Sequence, residues 1–133
     1  MGKWNAGRWS AGRWADGRGT LTAASATVPL EVAASYRARR RGLLGRDGIK
    51  GALLITPTNS VHTFGMRFAI DVAYLDRSFR VLSVVTMRPG RLGMVRPRGR
   101  HVLEAEAGAM AAWGLRPGER VSVHLTAGPN RAG

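Results

Sequence analysis

Apolar and polar residues alternate with a two-residue period over several short stretches of the chain, the pattern of half-buried β-strands. Val28, Leu30 and Val32 alternate with Pro29 and Glu31. Because proline cannot donate to an inner ladder, this stretch reads as an edge strand. Ala52 to Ile55 reads as a short buried strand closed by Pro57, and Val61 to Phe64 as the next one, delivered by a loop through Asn59 and Ser60. Val72 to Leu75 and Phe79 to Met87 form the clearest hairpin, joined by the turn Asp76-Arg77-Ser78. Val102 to Ala105 and Arg120 to Leu125 complete the set, with Val121, Val123 and Leu125 pointing inward.

Two stretches fit a helical spacing instead. Ser35 can cap a helix that runs through Leu44 and ends at Gly45, with Tyr36, Leu43 and Leu44 on its apolar side. A second, Ala-rich helix over Gly108 to Trp113 turns Met110 and Trp113 one way and stops at Gly114. Pro117 and Gly118 then occupy the central positions of a type II turn. About seven short strands and two short helices predict a mainly β (β-rich α+β) fold, a single compact sandwich or barrel-like domain.

The two ends of the chain lack this patterning. Residues 3–17 form three imperfect pentads, KWNAG, RWSAG and RWADG, that place Trp4, Trp9 and Trp14 five residues apart. Five is neither the helix nor the strand period, and the segment carries no aliphatic residue. Residues 1–19 are therefore expected to be a disordered Trp/Gly/Arg tail, 20–127 the β-rich domain and 128–133 a frayed end. Residues 88–100, RPGRLGMVRPRGR, read as a long loop of the kind that is often functional.

Composition narrows the chemistry. A chain of 133 residues suits one core. With no cysteine there is no disulfide framework, thiolate metal site or cysteine nucleophile. The net charge is +13, and Lys3 and Lys50 are the only lysines among 21 basic residues. Such a balance favours an acidic protein or a polyanion as partner. No run approaches the ~20 apolar residues of a membrane span. The apolar stretch before the Ala24-Ser25-Ala26 triplet falls short of the ~7–15 residues of a signal peptide, so the expected location is the cytoplasm.

The candidate site residues fall into three groups. His62, Thr63, Met66, Arg67 and Asp71 sit just before or at the start of an apolar run and form a prospective polar rim or pocket. Arg37, Arg40 and Arg41 on the first helix, with Arg88, Arg91, Arg96, Arg98 and Arg100 in the long loop, form prospective anion-binding surfaces. Glu104 and Glu106 lie two apart on one strand, hence on one face, ~6–7 Å from each other. His62, His101 and His124 show no local metal-ligand spacing, and neither a Gly-x-Ser-x-Gly elbow nor a phosphate loop is present. No metal, cofactor or catalytic residue is therefore assigned.

Three segments together resemble the prokaryotic family known as domain of unknown function 192, over roughly residues 21 to 126. In RRRGLLGR, Arg39, Gly42, Leu43, Leu44 and Arg46 match its Arg-x-x-Gly-Leu-(Met or Leu)-x-Arg pattern. HTFGMRFAIDVAYLD is similar to its His-Thr-Phe-x-Met stretch, with Ala69 where a proline is usual. VLEAEAG followed by GLRPGE is similar to its Val-Leu-Glu…Ala-Gly and Gly-Ile-x-x-Gly-Asp segments, with Glu119 in place of the aspartate. The resemblance implies a single β-rich domain with short helices and no established activity or cofactor. Its pattern arginines, Arg39 and Arg46, are the expected ion-pair partners of Glu104.

The functional expectation is a non-catalytic binding or assembly module on a small β-rich scaffold. The alternatives are a nucleic-acid or polyanion binder acting through the basic loop and Trp/Arg tail, and an enzyme centred on His62 and Asp71. The oligomeric state is not specified by the sequence.

Overall fold

A computed structural model describes residues 8–9 and 13–126. Arg8–Trp9 (β1) and Arg13–Trp14 (β2) pair with each other. The domain itself is built on one sheet of seven strands: β3 (Gly17–Thr22), β4 (Thr27–Ala33), β5 (Ala52–Ile55), β6 (Ile70–Leu75), β7 (Val81–Met87), β8 (His101–Glu106) and β9 (Ser122–Leu125). Their order across the sheet is β7-β6-β8-β5-β4-β3-β9. All neighbours are antiparallel except β4 and β5, whose connection contains the helix α1 (Tyr36–Arg41); parallel neighbours need such a crossover. The second helix, α2 (Ala109–Ala112), follows β8.

Alternation along each strand gives the sheet two apolar faces. Leu30, Leu54, Ala73, Leu75 and Leu103 belong to the larger core, which α2 covers with Met110. Leu53, Ile55, Ile70, Val72, Tyr74 and Val102 belong to a second core covered by Leu43, Ile49 and Val61. The sheet curls around the larger core until its two edges meet at one place. Arg80 bridges Arg120, the Val81 N–H donates to Glu119 O at 2.8 Å, and the Val121 N–H donates to Phe79 O at 3.0 Å. The edges do not form a full ladder, so the sheet is curled rather than closed into a barrel.

The mainly β class, the seven strands and the two short helices agree with the sequence, but the strands are not all the expected ones. Val61 to Phe64 is a loop whose bridge is His62 to Leu92. Its place in the count is taken by β3, drawn from the segment expected to be a tail. Residues 13–19 are ordered into the domain: Gly17–Thr22 pairs with β4, its Gly19–Thr22 end also with β9, and Trp14 packs edge-on against Phe79 and His101, 5.7 Å from each. The expectations for residues 1–7, 10–12 and 127–133 lie outside the described residues.

With β3 on its outer side, β4 is an inner strand and not an edge. Pro29 is accommodated because it pairs only with Thr20; the ladder to β5 begins one residue later, at Leu30 and Ala52. The first helix is also shorter than its spacing suggests. Ser35 caps it as expected, accepting from the Ala38 N–H at 3.1 Å. Gly42 then adopts φ +48° and ends it after Arg41. Tyr36 is consequently not on a core face: it is 67% exposed and lies under Arg40.

Candidate functional site

Glu104 sits on β8 in a row that crosses four strands, Glu31–Leu53–Glu104–Val72, all on the second face. Its side chain is 4% exposed and makes no ion pair among the described residues. The expected partners are engaged elsewhere. Arg46 forms a bidentate pair with Glu31, at 2.8 and 2.9 Å. Arg39 donates from Nε to Ala34 O at 3.1 Å and from Nη1 to Pro57 O at 3.2 Å, bracing α1 against the loop after β5. Leu53 stands between the two glutamates, whose strands are ~10 Å apart at two strand spacings, so Arg46 settles on the nearer one. The bond from Arg46 holds the Glu31 carboxyl below its ordinary range. Burial does the opposite to Glu104, whose pKa rises to about 7.

The Glu104 carboxyl forms part of a cavity of about 90 Å³. One wall is the end of α1, where Arg39, Arg40, Arg41 and Gly42 line it, and the facing wall is the loop carrying Val61, His62 and Met66. Gly42 leaves this wall low: its positive φ suits glycine, and a Cβ there would project to 4.0 Å from Glu104 Oε1. Arg39, Arg40 and Arg41 have no carboxylate partner among the described residues. The cavity thus combines an acid of neutral-range pKa with guanidinium groups that are not neutralised.

The rim residues of the sequence do not stay together. His62 and Met66 line the Glu104 cavity; His62 is exposed, and its Nδ1 accepts from the Phe64 N–H at 3.2 Å while its ring stacks on Phe64. Thr63 is fully buried and ties the long loop down. Its hydroxyl donates to Arg88 O at 2.6 Å and accepts from the Arg91 N–H at 2.8 Å. Arg67 pairs with Asp47 at the surface, 3.0 Å apart.

Asp71 is on the opposite face of the sheet from Val72 and Tyr74, where it accepts from Thr86 Oγ1 (2.7 Å), the Gly108 N–H (2.9 Å) and the Met110 N–H (3.1 Å). It secures the entry to α2. The sheet therefore separates His62 from Asp71.

The basic residues divide as well. Arg40 and Arg41 reach the Glu104 cavity, and Arg88, Arg91 and Arg96 line a second one, of about 350 Å³. Arg37, Arg98 and Arg100 are exposed and line neither. A groove of about 420 Å³ beside β4 is larger than both, but the carboxylates there are already occupied. Glu31 holds Arg46, and Asp16 accepts from the Ala34 and Ser35 N–H groups ahead of α1.

A curled single sheet whose second face carries an unpaired buried acid defines a small β domain with a cavity, and the comparisons place it. The chain belongs to the domain-of-unknown-function-192 family (DUF192, "Uncharacterized ACR"), which matches residues 19–123. It is 32% identical over 84 residues to a UPF0127 protein of Pyrococcus horikoshii, spanning 59% of this chain and 73% of the relative.

Two solved structures share the fold. One, a protein of unknown function from Novosphingobium aromaticivorans, has TM-score 0.67 and 18% identity, covering 85% of this chain and 88% of its own. The other, from Sinorhizobium meliloti and provisionally described as a transcription regulator, has TM-score 0.68 and 20% identity, covering 84% and 95%. The three segments that carry the family resemblance, around Arg39 to Leu44, His62 to Met66 and Glu104, all contribute to the walls of the Glu104 cavity.

No helix among the described residues is long and apolar enough to cross a membrane.

Proposed function

We propose that the protein is a non-catalytic binding module that takes a small hydroxylated anion, of the hydroxy-acid class, into the Glu104 cavity. The observation that carries this reading is the buried Glu104 carboxyl, which has no ion-pair partner although arginines line the same cavity. A carboxyl with a pKa near 7 is available as a hydrogen-bond donor when protonated, and it accepts in either form. A ligand hydroxyl suits that group, and a ligand carboxylate suits Arg40 and Arg41. A volume of about 90 Å³ is well below the ~300–1,000 Å³ of pockets for drug-sized molecules, so the ligand is a molecule of a few heavy atoms or one end of a longer one. An enzyme centred on His62 and Asp71 is disfavoured because the two lie on opposite sides of the sheet, with Asp71 held by Thr86, Gly108 and Met110. A polyanion reading would instead draw on the arginines of 88–100, and its affinity would fall steeply with salt.

Titration of the full chain with glycolate, followed by amide NMR shifts, tests the proposal. Glycolate is expected to perturb Gly42, His62 and Glu104. Its affinity should fall by up to tenfold for each pH unit above 7, as ionisation of Glu104 sets one negative charge against another. Glu104→Gln should bind glycolate with no such dependence. Equal pH dependence in both proteins would refute the assignment.

A further inference from the structure

Beyond the segment that carries Val61 lies a second polar cluster, whose buried atoms are short of hydrogen bonds among the described residues. Among the described residues, three buried side-chain atoms lack a hydrogen-bond partner: Tyr74 OH, Ser83 Oγ and Arg96 Nε. They come from three elements but lie together. Tyr74 and Ser83 are direct cross-strand partners on β6 and β7, and the Arg96 guanidinium lies over the Tyr74 ring, 5.5 Å from its centre. Buried polar groups are normally satisfied, so three such groups in one place point to a ligand or to water.

All three can donate. Burial pushes the Tyr74 pKa up, so its hydroxyl keeps its proton at physiological pH. Tyr74 and Arg96 line the cavity of about 350 Å³, which falls within the ~300–1,000 Å³ range of small-molecule pockets. Arg88 and Arg91 line it too, and no carboxylate does. Apart from Thr86, whose hydroxyl is taken by Asp71, the other side chains of the wall are apolar, and Leu92 and Met94 stand 73% and 71% exposed at its edge.

This rim is held in place rather than loose. Thr63 clamps Arg88 and Arg91, and the Gly93 N–H donates to Val61 O at 2.8 Å. Gly93 passes directly over the tyrosine, since a Cβ there would come within 2.6 Å of the hydroxyl.

We propose that this cavity binds an oxyanion borne on an aliphatic chain, a carboxylate or phosphate monoester whose head meets the Tyr74 hydroxyl and Arg96 and whose chain lies along Leu92 and Met94. A nucleic-acid phosphate would use the arginines but not the apolar rim, which favours the amphiphile. Two sources share the chemistry, a soluble amphiphile and the headgroup region of an anionic lipid.

Calorimetric titration of the full chain with monomeric octanoate, acetate, 1-octanol and phosphatidylglycerol vesicles tests it. Octanoate is expected to bind at least about tenfold more tightly than octanol, the scale of a hydrogen bond to a charged group, and at least about tenfold more tightly than acetate, which lacks the chain that would lie along Leu92 and Met94. Tyr74→Phe and Arg96→Gln should each weaken it by roughly the same factor. Tyr74→Phe should melt no lower than the parent, because it deletes an unpaired hydroxyl and keeps the ring. Octanoate binding that vesicles do not match assigns the site to a soluble amphiphile. Binding to the vesicles without octanoate binding, abolished by the same two substitutions, assigns it to a lipid headgroup. Octanol binding as well as octanoate, unchanged affinities in both variants, or a Tyr74→Phe protein that melts well below the parent would each overturn the proposal.

Discussion

Two cavities share the second face of the sheet, and they are chemical opposites although both are ringed by arginines. The smaller is floored by an acid, Glu104, and walled by Arg39, Arg40 and Arg41. The larger has no acid; its buried polar atoms are all potential donors, and much of its wall is aliphatic. The difference arises from one row and one loop. In the row that crosses Glu31, Leu53 and Glu104, Arg46 goes to Glu31, leaving Glu104 without an ion pair and with a pKa raised by burial. In the loop 88–100, clamping by Thr63 exposes the apolar side chains and keeps the arginines beside them. Positive charge alone therefore does not define either site; what lies beneath the arginines does.

The largest expected effect is on the acid. The Glu104 pKa is raised from 4.5 to about 7 in the folded protein, so the native state binds a proton that the unfolded state has released. Stability is therefore highest, as far as this group is concerned, below pH ~4.5. It falls as pH rises through the window from 4.5 to 7, and above 7 the full cost of roughly 3 kcal/mol is present. Glu104→Gln removes that cost and should be more stable than the parent at pH 8 by up to about 3 kcal/mol, but equal to it near pH 4.5. Urea denaturation at the two pH values distinguishes this from an ion-paired Glu104, for which the glutamine would be the less stable protein at pH 8.

A smaller effect tests what holds the other cavity open. Thr63→Val keeps the shape of the side chain and removes the bonds to Arg88 O and the Arg91 N–H. Losing a buried pair of this kind should cost about 2 kcal/mol. The decisive readout is local: hydrogen exchange at the Gly90, Arg91 and Gly93 amides should quicken, with β8 unaffected. If the β8 amides exchange faster to the same degree, the clamp belongs to the whole domain and the cavities are not independent.

How far the chain could be read beforehand follows from the same features. The strand count came out right through a compensating exchange. Val61 to Phe64 has a strand-like pattern but is spent on tying down the long loop. The strand β3, GRGTLT, has Leu21 as its one apolar residue, so alternation could not reveal it. Its Gly19 passes so close to the His124 backbone that a Cβ would collide, a requirement visible only once β9 is in place. His62 and Glu104 are legible as candidates because polar side chains adjoin apolar runs, and Met66 because it shares the His62 segment. That Arg46 prefers Glu31, and that Asp71 faces away from His62, depends on register and on which face each strand presents. The Tyr74–Ser83 pair carried no signal, since a tyrosine in an apolar run reads as core.

Gly42 separates the cavities again at about 1–2 kcal/mol. Gly42→Ala places a methyl at a φ of +48°, with its nearest contacts at 3.9 Å to Ile55 Cδ1 and 4.0 Å to Glu104 Oε1. No clash arises, so the cost is conformational. The methyl should nonetheless occupy the cavity above Glu104, weakening glycolate while leaving octanoate binding untouched. Loss of both would show that the two ligands share one site.

The smallest effect serves as the reference for the others. Arg67 is close to His62 in sequence, yet its guanidinium reaches Asp47 across the surface, with side chains 59% and 86% exposed. An exposed pair of this kind contributes under about 0.5 kcal/mol once solvent and salt screen it. Arg67→Ala should therefore leave the melting temperature within error and change neither glycolate nor octanoate affinity. It removes a positive charge next in sequence to Met66, so it also measures how much of either affinity is general attraction to a +13 chain rather than contact inside a cavity. If Arg67→Ala weakened one ligand as strongly as Tyr74→Phe or Gly42→Ala does, the effect would follow net charge, and the distinction between an acid-floored and a donor-lined site would fail.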